Sequence, residues 1–311
     1  MARTLAGAMA CFALLAAPGA QAAAGGEVRS AQMLRARYVA LEPLLPGGPA
    51  RQPWVVQSIQ SGAGLRGDIH AVLDYPFAEV STSLNSPQNW CDIVILHINT
   101  KRCAVVPGAR GAVLQVHMGQ KTREDLSRAN RLDFVWKVTS ADADLLTVTL
   151  EADSGPMGTR DYRILLQATP LPGGGTFIHL SYTYGVGLAG KLAMQTYLAT
   201  VARNKVGFTR LGDNPPRFIG GVRGLVERNT MRYYLAIVAF MEASRLAPER
   251  RLEARLRSWF CRRGALPRAA ARDGPAGIPG HEARGSGRAL TPVGRAHRNL
   301  GQPAGVRRDA Q

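Results

Sequence analysis

The chain has 311 residues, 46% of them hydrophobic, with 39 Lys and Arg against 22 Asp and Glu and a formal charge of +17. That length admits one large or two small domains, and that apolar share suits a globular protein with a core. Residues 262–311 carry +7 of the charge, and removing Arg3 with an N-terminal signal leaves a body near +9. The body is basic, but this is not a nucleic-acid-binding signature in an exported protein.

The first residues have the pattern of a processing signal. Met1-Ala-Arg3 is a short basic region, Leu5 to Ala17 is apolar but too short to span a bilayer, and Pro18-Gly19 breaks the run. Ala20-Gln21-Ala22 is a small-x-small cleavage site, so cleavage is expected after Ala22 or Ala24, with export to a periplasm. No later run approaches the roughly 20 apolar residues of a membrane helix, and the mature protein is expected to be soluble. Cleavage leaves Cys91, Cys103 and Cys261. In an oxidising compartment Cys91 and Cys103 are candidates for a disulfide; two free buried thiols is the alternative the spacing leaves open. The six histidines show no ligand spacing with the cysteines, so no metal site is assigned.

Residues 25–53 are expected as a helical segment and linker. Ser30 to Leu45 has helical spacing (Met33, Leu34, Arg37, Tyr38, Leu41) and ends in "PLLPGGPARQP", a Pro/Gly linker. "WVVQSIQS" (Trp54 to Ser61) and the run from Gly64 to Phe77 predict a two-stranded hairpin. Phe77, Val80 and Leu84 share one face of a short helix closed by Asn85-Ser86-Pro87. Strand-like runs follow: "DIVILHINT" (Asp92 to Thr100), "AVLQVHMG", "RLDFVWKVTS", "LLTVTLEAD", "TRDYRILLQATPL" and "TFIHLSYTY". The last two flank Pro172-Gly-Gly-Gly175, a hairpin signal, so the sheet should be an antiparallel meander. Helices are predicted over Leu188–Val206 and Val222–Leu246, with a basic amphipathic end over Ala247–Arg263. Strands followed by segregated helices make an α+β domain over 54–261.

In the last fifty residues, 34 are Ala, Gly, Pro or Arg, with no aromatic and no helical or strand period, so 262–311 is expected to be a disordered tail. GC-rich codons permit, with one base removed near Cys261, a charged and aromatic-bearing alternative reading. A frameshift at about residue 261 is therefore the expectation, and resequencing the gene there tests it.

The stretch Ala71-Val-Leu-Asp74-Tyr-Pro76-Phe77 through Leu84-x-x-Pro87-x-x-Trp90-x-Asp92 resembles the opening of START-like domains, the SRPBCC superfamily. There a first strand runs into a proline, then a short helix and a tryptophan before the sheet continues. The resemblance covers about residues 54 to 245. It implies a helix-grip fold, a curved antiparallel sheet around a long C-terminal helix. The split of the helical region at Gly207–Gly221 and the added N-terminal helix depart from that pattern.

Two chemical readings compete with it. Gly185-x-Gly187-x-x-Gly190 lies between a strand and a helix, as in a dinucleotide-binding turn. That site needs a parallel strand–helix–strand unit, and no apolar strand follows the helix before Asp213, so no cofactor is assigned. Catalysis would need a nucleophile beside a base. His179 and Ser181 share a strand face without forming a triad, Gly-x-Ser-x-Gly is absent, and Asp92, His97 and Asp153 suit capping or solvated roles. No catalytic residue is assigned.

The polar side of the second long helix carries Glu227, Arg228 and Arg232, with Tyr233 beside them. They form either a charged surface or a headgroup-binding set facing the sheet cavity. "TRDYR" could add Arg160 and Tyr162. With Trp90 and His179 these make the candidate ligand-binding set. The resemblance implies a carrier of a hydrophobic or lipid-like small molecule; the basic charge of the body adds an anionic membrane surface as a second candidate partner. The alternatives are a cyclase- or hydrolase-like enzyme using His179 or a cavity acid, and an envelope interaction module.

Overall fold

The computed structural model describes residues 21–45, 54–62, 64–119, 125–200, 205–213 and 216–265. Most of the expected signal (1–20) and most of the tail (266–311) lie outside the described residues, as does the linker at 46–53.

The elements run α1 (Gln21–Leu41), β1 (Trp54–Ser61), β2 (Gly64–Leu73), α2 (Phe77–Leu84), α3 (Pro87–Val94), β3 (Thr100–Gly108), β4 (Gly111–Met118), β5 (Asn130–Ala141), β6 (Leu146–Ser154), β7 (Thr159–Pro170), β8 (Thr176–Val186), α4 (Leu188–Ala199), β9 (Arg210–Asp213), β10 (Pro216–Phe218), α5 (Gly221–Ser244) and α6 (Pro248–Ala265). One eight-stranded sheet has the order β1-β2-β8-β7-β6-β5-β4-β3, and every pairing in it is antiparallel. β9 and β10 form a separate hairpin. Chain reversals follow the local chemistry: between β5 and β6, the Asp142 carboxylate accepts from the backbone of Asp144 and Leu145.

The sheet buries both faces. Ile69, Leu73, Val148, Leu150, Ile164, Leu166, Leu180 and their neighbours join α2, α3 and α5 in the main core. α5 is buried nearly all round because it has the sheet on one side and α3 and α6 on others. Its approach to β2 depends on Gly67, where a Cβ would lie 2.3 Å from Thr230 Oγ1 and 3.2 Å from the Val226 carbonyl. The opposite face is covered by α1, whose Ala31, Leu34 and Leu41 pack with Leu145 and Phe177, while Tyr38 meets Phe177 edge-on at 5.2 Å. Met33, expected on that inward stripe, is 70% exposed.

The expected strand Asp92–Thr100 is a correction. Its first residues complete α3, and Ile95–Asn99 is a buried turn. A continuous apolar run fits a buried helix as well as a buried strand. The deciding signal was the cap: the Ser86 side chain accepts from Asn89 N, and Pro87 occupies the first helical turn. The strand that takes its place is β3, whose Cys103 bonds Cys91 of α3 across a Cα–Cα distance of 5.3 Å. Closing so short a loop contributes about 3 kcal/mol by chain entropy. α4 ends at Ala199 rather than Val206, and α6 continues through Arg262 and Arg263.

Candidate functional site

Alternation along β8 sends Ile178, Leu180, Tyr182 and Tyr184 into the main core and Phe177, His179, Ser181 and Thr183 to the other face. Four tyrosines meet at one end of the α5 side. Tyr162 stacks on Tyr184 at 5.6 Å, Tyr182 lies 5.4 Å from Tyr184, and Tyr233 of α5 lies 5.4 Å from Tyr182. Phe134 packs edge-on to Tyr162 at 6.3 Å, and His97 stacks on Tyr233 at 4.9 Å. Tyr162 Oη donates to Thr159 Oγ1 at 2.7 Å. Among the described residues no side chain or backbone group hydrogen-bonds the hydroxyls of Tyr182, Tyr184 or Tyr233.

Burial pushes all four phenols above their ordinary range. Neighbouring tyrosines add to this at Tyr182 and Tyr184. At Tyr162 the Thr159 hydrogen bond opposes it, as Arg232 does at Tyr233. These groups therefore stay neutral, and each offers a hydroxyl donor and acceptor in an apolar surround.

Of the candidate set, Tyr162 and Tyr233 belong to this cluster. Trp90 is fully buried and donates from Nε1 to the Leu84 carbonyl, which ties α3 to α2 within the core. Arg160 is a correction: its side chain is 59% exposed and pairs with Asp161. Strict alternation would put it on the Tyr162 face, but the register shifts between Arg160 and Arg163 and Asp161 sits at φ 53°. That bulge turns Arg160 outward while Tyr162 points in.

His179 is a second correction, because it lies on the face opposite α5. Its Nε2 is 2.7 Å from Asp68 Oδ1 and its Nδ1 is 3.4 Å from Gln167 Oε1. Arg66 also donates to Asp68, and the His70 ring lies parallel to that of His179 at 4.5 Å. Burial raises the Asp68 carboxyl, but hydrogen bonds from His179 and Arg66 outweigh it and bring the group down to about 2. Burial lowers His70 to about 3, helped by the charge of His179 and of Arg37 on α1.

Glu227 is fully buried and faces β1 and the segment before β9. One oxygen accepts from Ser58 Oγ and Thr209 Oγ1, the other from the backbone of Phe208 and Thr209. Four donors on one carboxylate make it a latch between α5, β1 and residues 208–209, and a poor partner for a ligand. Arg228 is buried, and Arg232 donates to Asn229 while its carbonyl accepts from Trp259 of α6. Of the charged set on α5, Glu227 is thus spent on β1 and residues 208–209, and Arg232 bonds Asn229 on its own helix. Tyr182, Tyr184 and His97 are the members that sequence reasoning left out; "LSYTY" carried the alternation that aligns Tyr182 and Tyr184 with Leu180.

The glycine-rich turn closes β8 against antiparallel neighbours β2 and β7, so it lacks the parallel unit that a dinucleotide turn requires. Gly187 N donates to the Gly158 carbonyl at 3.2 Å, and a Cβ at Gly187 would sit 3.3 Å from that oxygen. The motif is a close-packed joint between β8 and α4.

The strand order from β2 through β8, with α2 and α3 after the first of these strands and α5 against the inner face, decides the architecture. The fold is the START-like helix grip. β1, α1, the segment from α4 to β10, and α6 are additions around it. No family model matches the chain, and no curated protein matches it. Similar solved structures include norcoclaurine synthase from Thalictrum flavum, with 13% identity over 48% of this chain and 82% of that one and a TM-score of 0.31. Ara h 8.0201 has 14% identity over 61% and 99%, at 0.34. Human StAR-related lipid transfer protein 5 has 9% identity over 59% and 92%, at 0.30. The fold assignment rests on this chain's own strand order and the placement of α5.

Proposed function

We propose that the protein is a periplasmic carrier that binds a hydrophobic or amphipathic small molecule between the inner face of the sheet and α5. The observation that carries this is the tyrosine cluster: three phenols without a protein hydrogen-bond partner among the described residues, set in an otherwise apolar core. Hydroxyls set in so apolar a surround normally find a partner, and a ligand with a hydroxyl, carbonyl or ester among its apolar atoms supplies one. Neutral phenols favour an uncharged polar group over a charged headgroup. The signal-like N-terminus and the Cys91–Cys103 bond support export to an oxidising compartment.

The enzymatic alternative named His179 or an acid in the cavity. His179 and Asp68 lie on the other face, and both oxygens of Glu227 are occupied. Among the described residues, neither His179 nor Glu227 is placed to carry that reading. Native mass spectrometry of the protein purified from its host tests the carrier function. A co-purified apolar molecule that is lost from a Tyr182→Leu/Tyr184→Leu variant is expected; protein that is ligand-free when purified and takes up no lipid from an extract would sink it. Osmotic-shock fractionation tests the location, with retention in the cytoplasm the opposing result.

A further inference from the structure

We infer that the segment inserted between β8 and α5, comprising α4 and the β9–β10 hairpin, is a docking surface for an anionic lipid bilayer. This rests on the carrier reading, since it names the place where such a ligand would be exchanged. The segment lies at the tyrosine end of the sheet: Tyr184 pairs with Leu65 near the end of β8, and Gly158, just before β7, contacts Gly187 and Gly190 at the start of α4.

The insertion is tied to the body from several sides. Met194 packs against the main core, Lys205 Nζ donates to Tyr197 Oη at 3.0 Å, and Gly207 N donates to the Ile219 carbonyl at 2.7 Å. Glu227 holds the backbone of Phe208 and Thr209. On this anchored base two large apolar side chains project outward, Leu192 of α4 at 68% exposed and Leu211 of β9 at 57%. Isolated exposed leucines are ordinary on a protein surface. What distinguishes these is the charge of the segment that carries them. Between 188 and 219 the chain has Lys191, Arg203, Lys205, Arg210 and Arg217 against the single acid Asp213. Apolar side chains that enter the headgroup layer, flanked by cations that attract anionic lipid, are the two components of peripheral membrane binding. No helix among the described residues is long and apolar enough to cross a membrane, so the contact is one of docking. An anionic bilayer satisfies both components at once, which a second copy of this basic surface cannot.

The test is co-sedimentation of the full chain with vesicles of phosphatidylcholine alone or mixed equally with phosphatidylglycerol. Wild type should partition onto the anionic vesicles and much less onto the neutral ones. Leu192→Asp/Leu211→Asp should weaken that partition by on the order of tenfold or more, and each of Lys191→Glu and Arg217→Glu by about fivefold or more. The basic tail is present throughout, so a double variant that still binds as wild type does would place the contact elsewhere and overturn the inference. So would wild type that ignores anionic vesicles, or that binds both compositions equally. Fluorescence of ANS, a naphthalene sulfonate probe of apolar pockets, is read on the same proteins and should be unchanged by the surface substitutions. Vesicle binding with no ANS or lipid uptake would remove the carrier function and leave the docking surface standing; uptake without vesicle binding would do the reverse.

Discussion

The two faces of the sheet are both buried and both lined with polar groups, yet they differ in kind. On the face toward α5, three tyrosine hydroxyls have no protein partner among the described residues. On the face toward α1, Asp68 satisfies His179 and Arg66, while Phe177 packs between His70 and Tyr38. The second face spends the Asp68 carboxylate on its own residues but leaves Nδ1 of His70 without a partner among the described residues; the first leaves three phenol hydroxyls so. The Asp68 carboxylate with its donors in place serves the fold, and phenol hydroxyls left without a protein partner in an apolar surround invite a ligand.

Three changes probe that contrast. Phe177→Ala should have the largest effect, destabilising by about 3–5 kcal/mol because the ring is fully buried beneath α1. Chemical denaturation reads the loss, and ligand retention by the protein that remains folded should not change. A fall in retention comparable with that from a Tyr184 substitution would mean the two faces are not independent.

Next comes pH. His70 stays neutral in the folded protein down to about 3, whereas an unfolded imidazole titrates near 6.5. The unfolded chain therefore takes up the proton first, so the contribution is complete above about pH 6.5 and is lost as pH falls toward 3. Between pH 7 and pH 4 the wild type should lose on the order of 3 kcal/mol from this group. Asp68, lowered to about 2, adds a further loss only below about pH 4. Urea titrations across that range should show a slope that His70→Gln flattens; an unchanged slope would contradict the assignment. The smallest effect on stability is expected from Tyr184→Phe, within about 0.5 kcal/mol, because no protein hydrogen bond is broken. It should nevertheless alter which molecule co-purifies, and a loss of 2 kcal/mol or more would reveal a hydrogen-bond partner inside the protein.

Much of this architecture was legible from local pattern. Pro76, Phe77, Val80, Leu84 and the Asn85-Ser86-Pro87 break marked α2, and Pro172-Gly-Gly-Gly175 marked the β7–β8 hairpin. The site was less legible. Period-two alternation says which residues of β8 share a face, but His179 and Tyr182 sit on buried faces alike, so parity could not say which face meets α5. At Arg160 alternation itself failed, because the bulge at Asp161 resets the register. Glu227 on the charged face of α5 pointed toward a ligand only while its neighbours were unknown; β1 and residues 208–209 account for it.

By itself the sequence determined the α+β class, the antiparallel meander and the long closing helix, since turn chemistry and hydrophobic period act over a few residues. It also made Cys91 and Cys103 candidates for a disulfide. Tertiary structure alone decided that they bond, that Tyr162, Tyr182, Tyr184 and Tyr233 converge, and that His179 does not join them. Those outcomes depend on which sheet face α1 and α5 each cover, and that choice is made by packing between segments more than 100 residues apart in the chain, such as Tyr38 with Phe177.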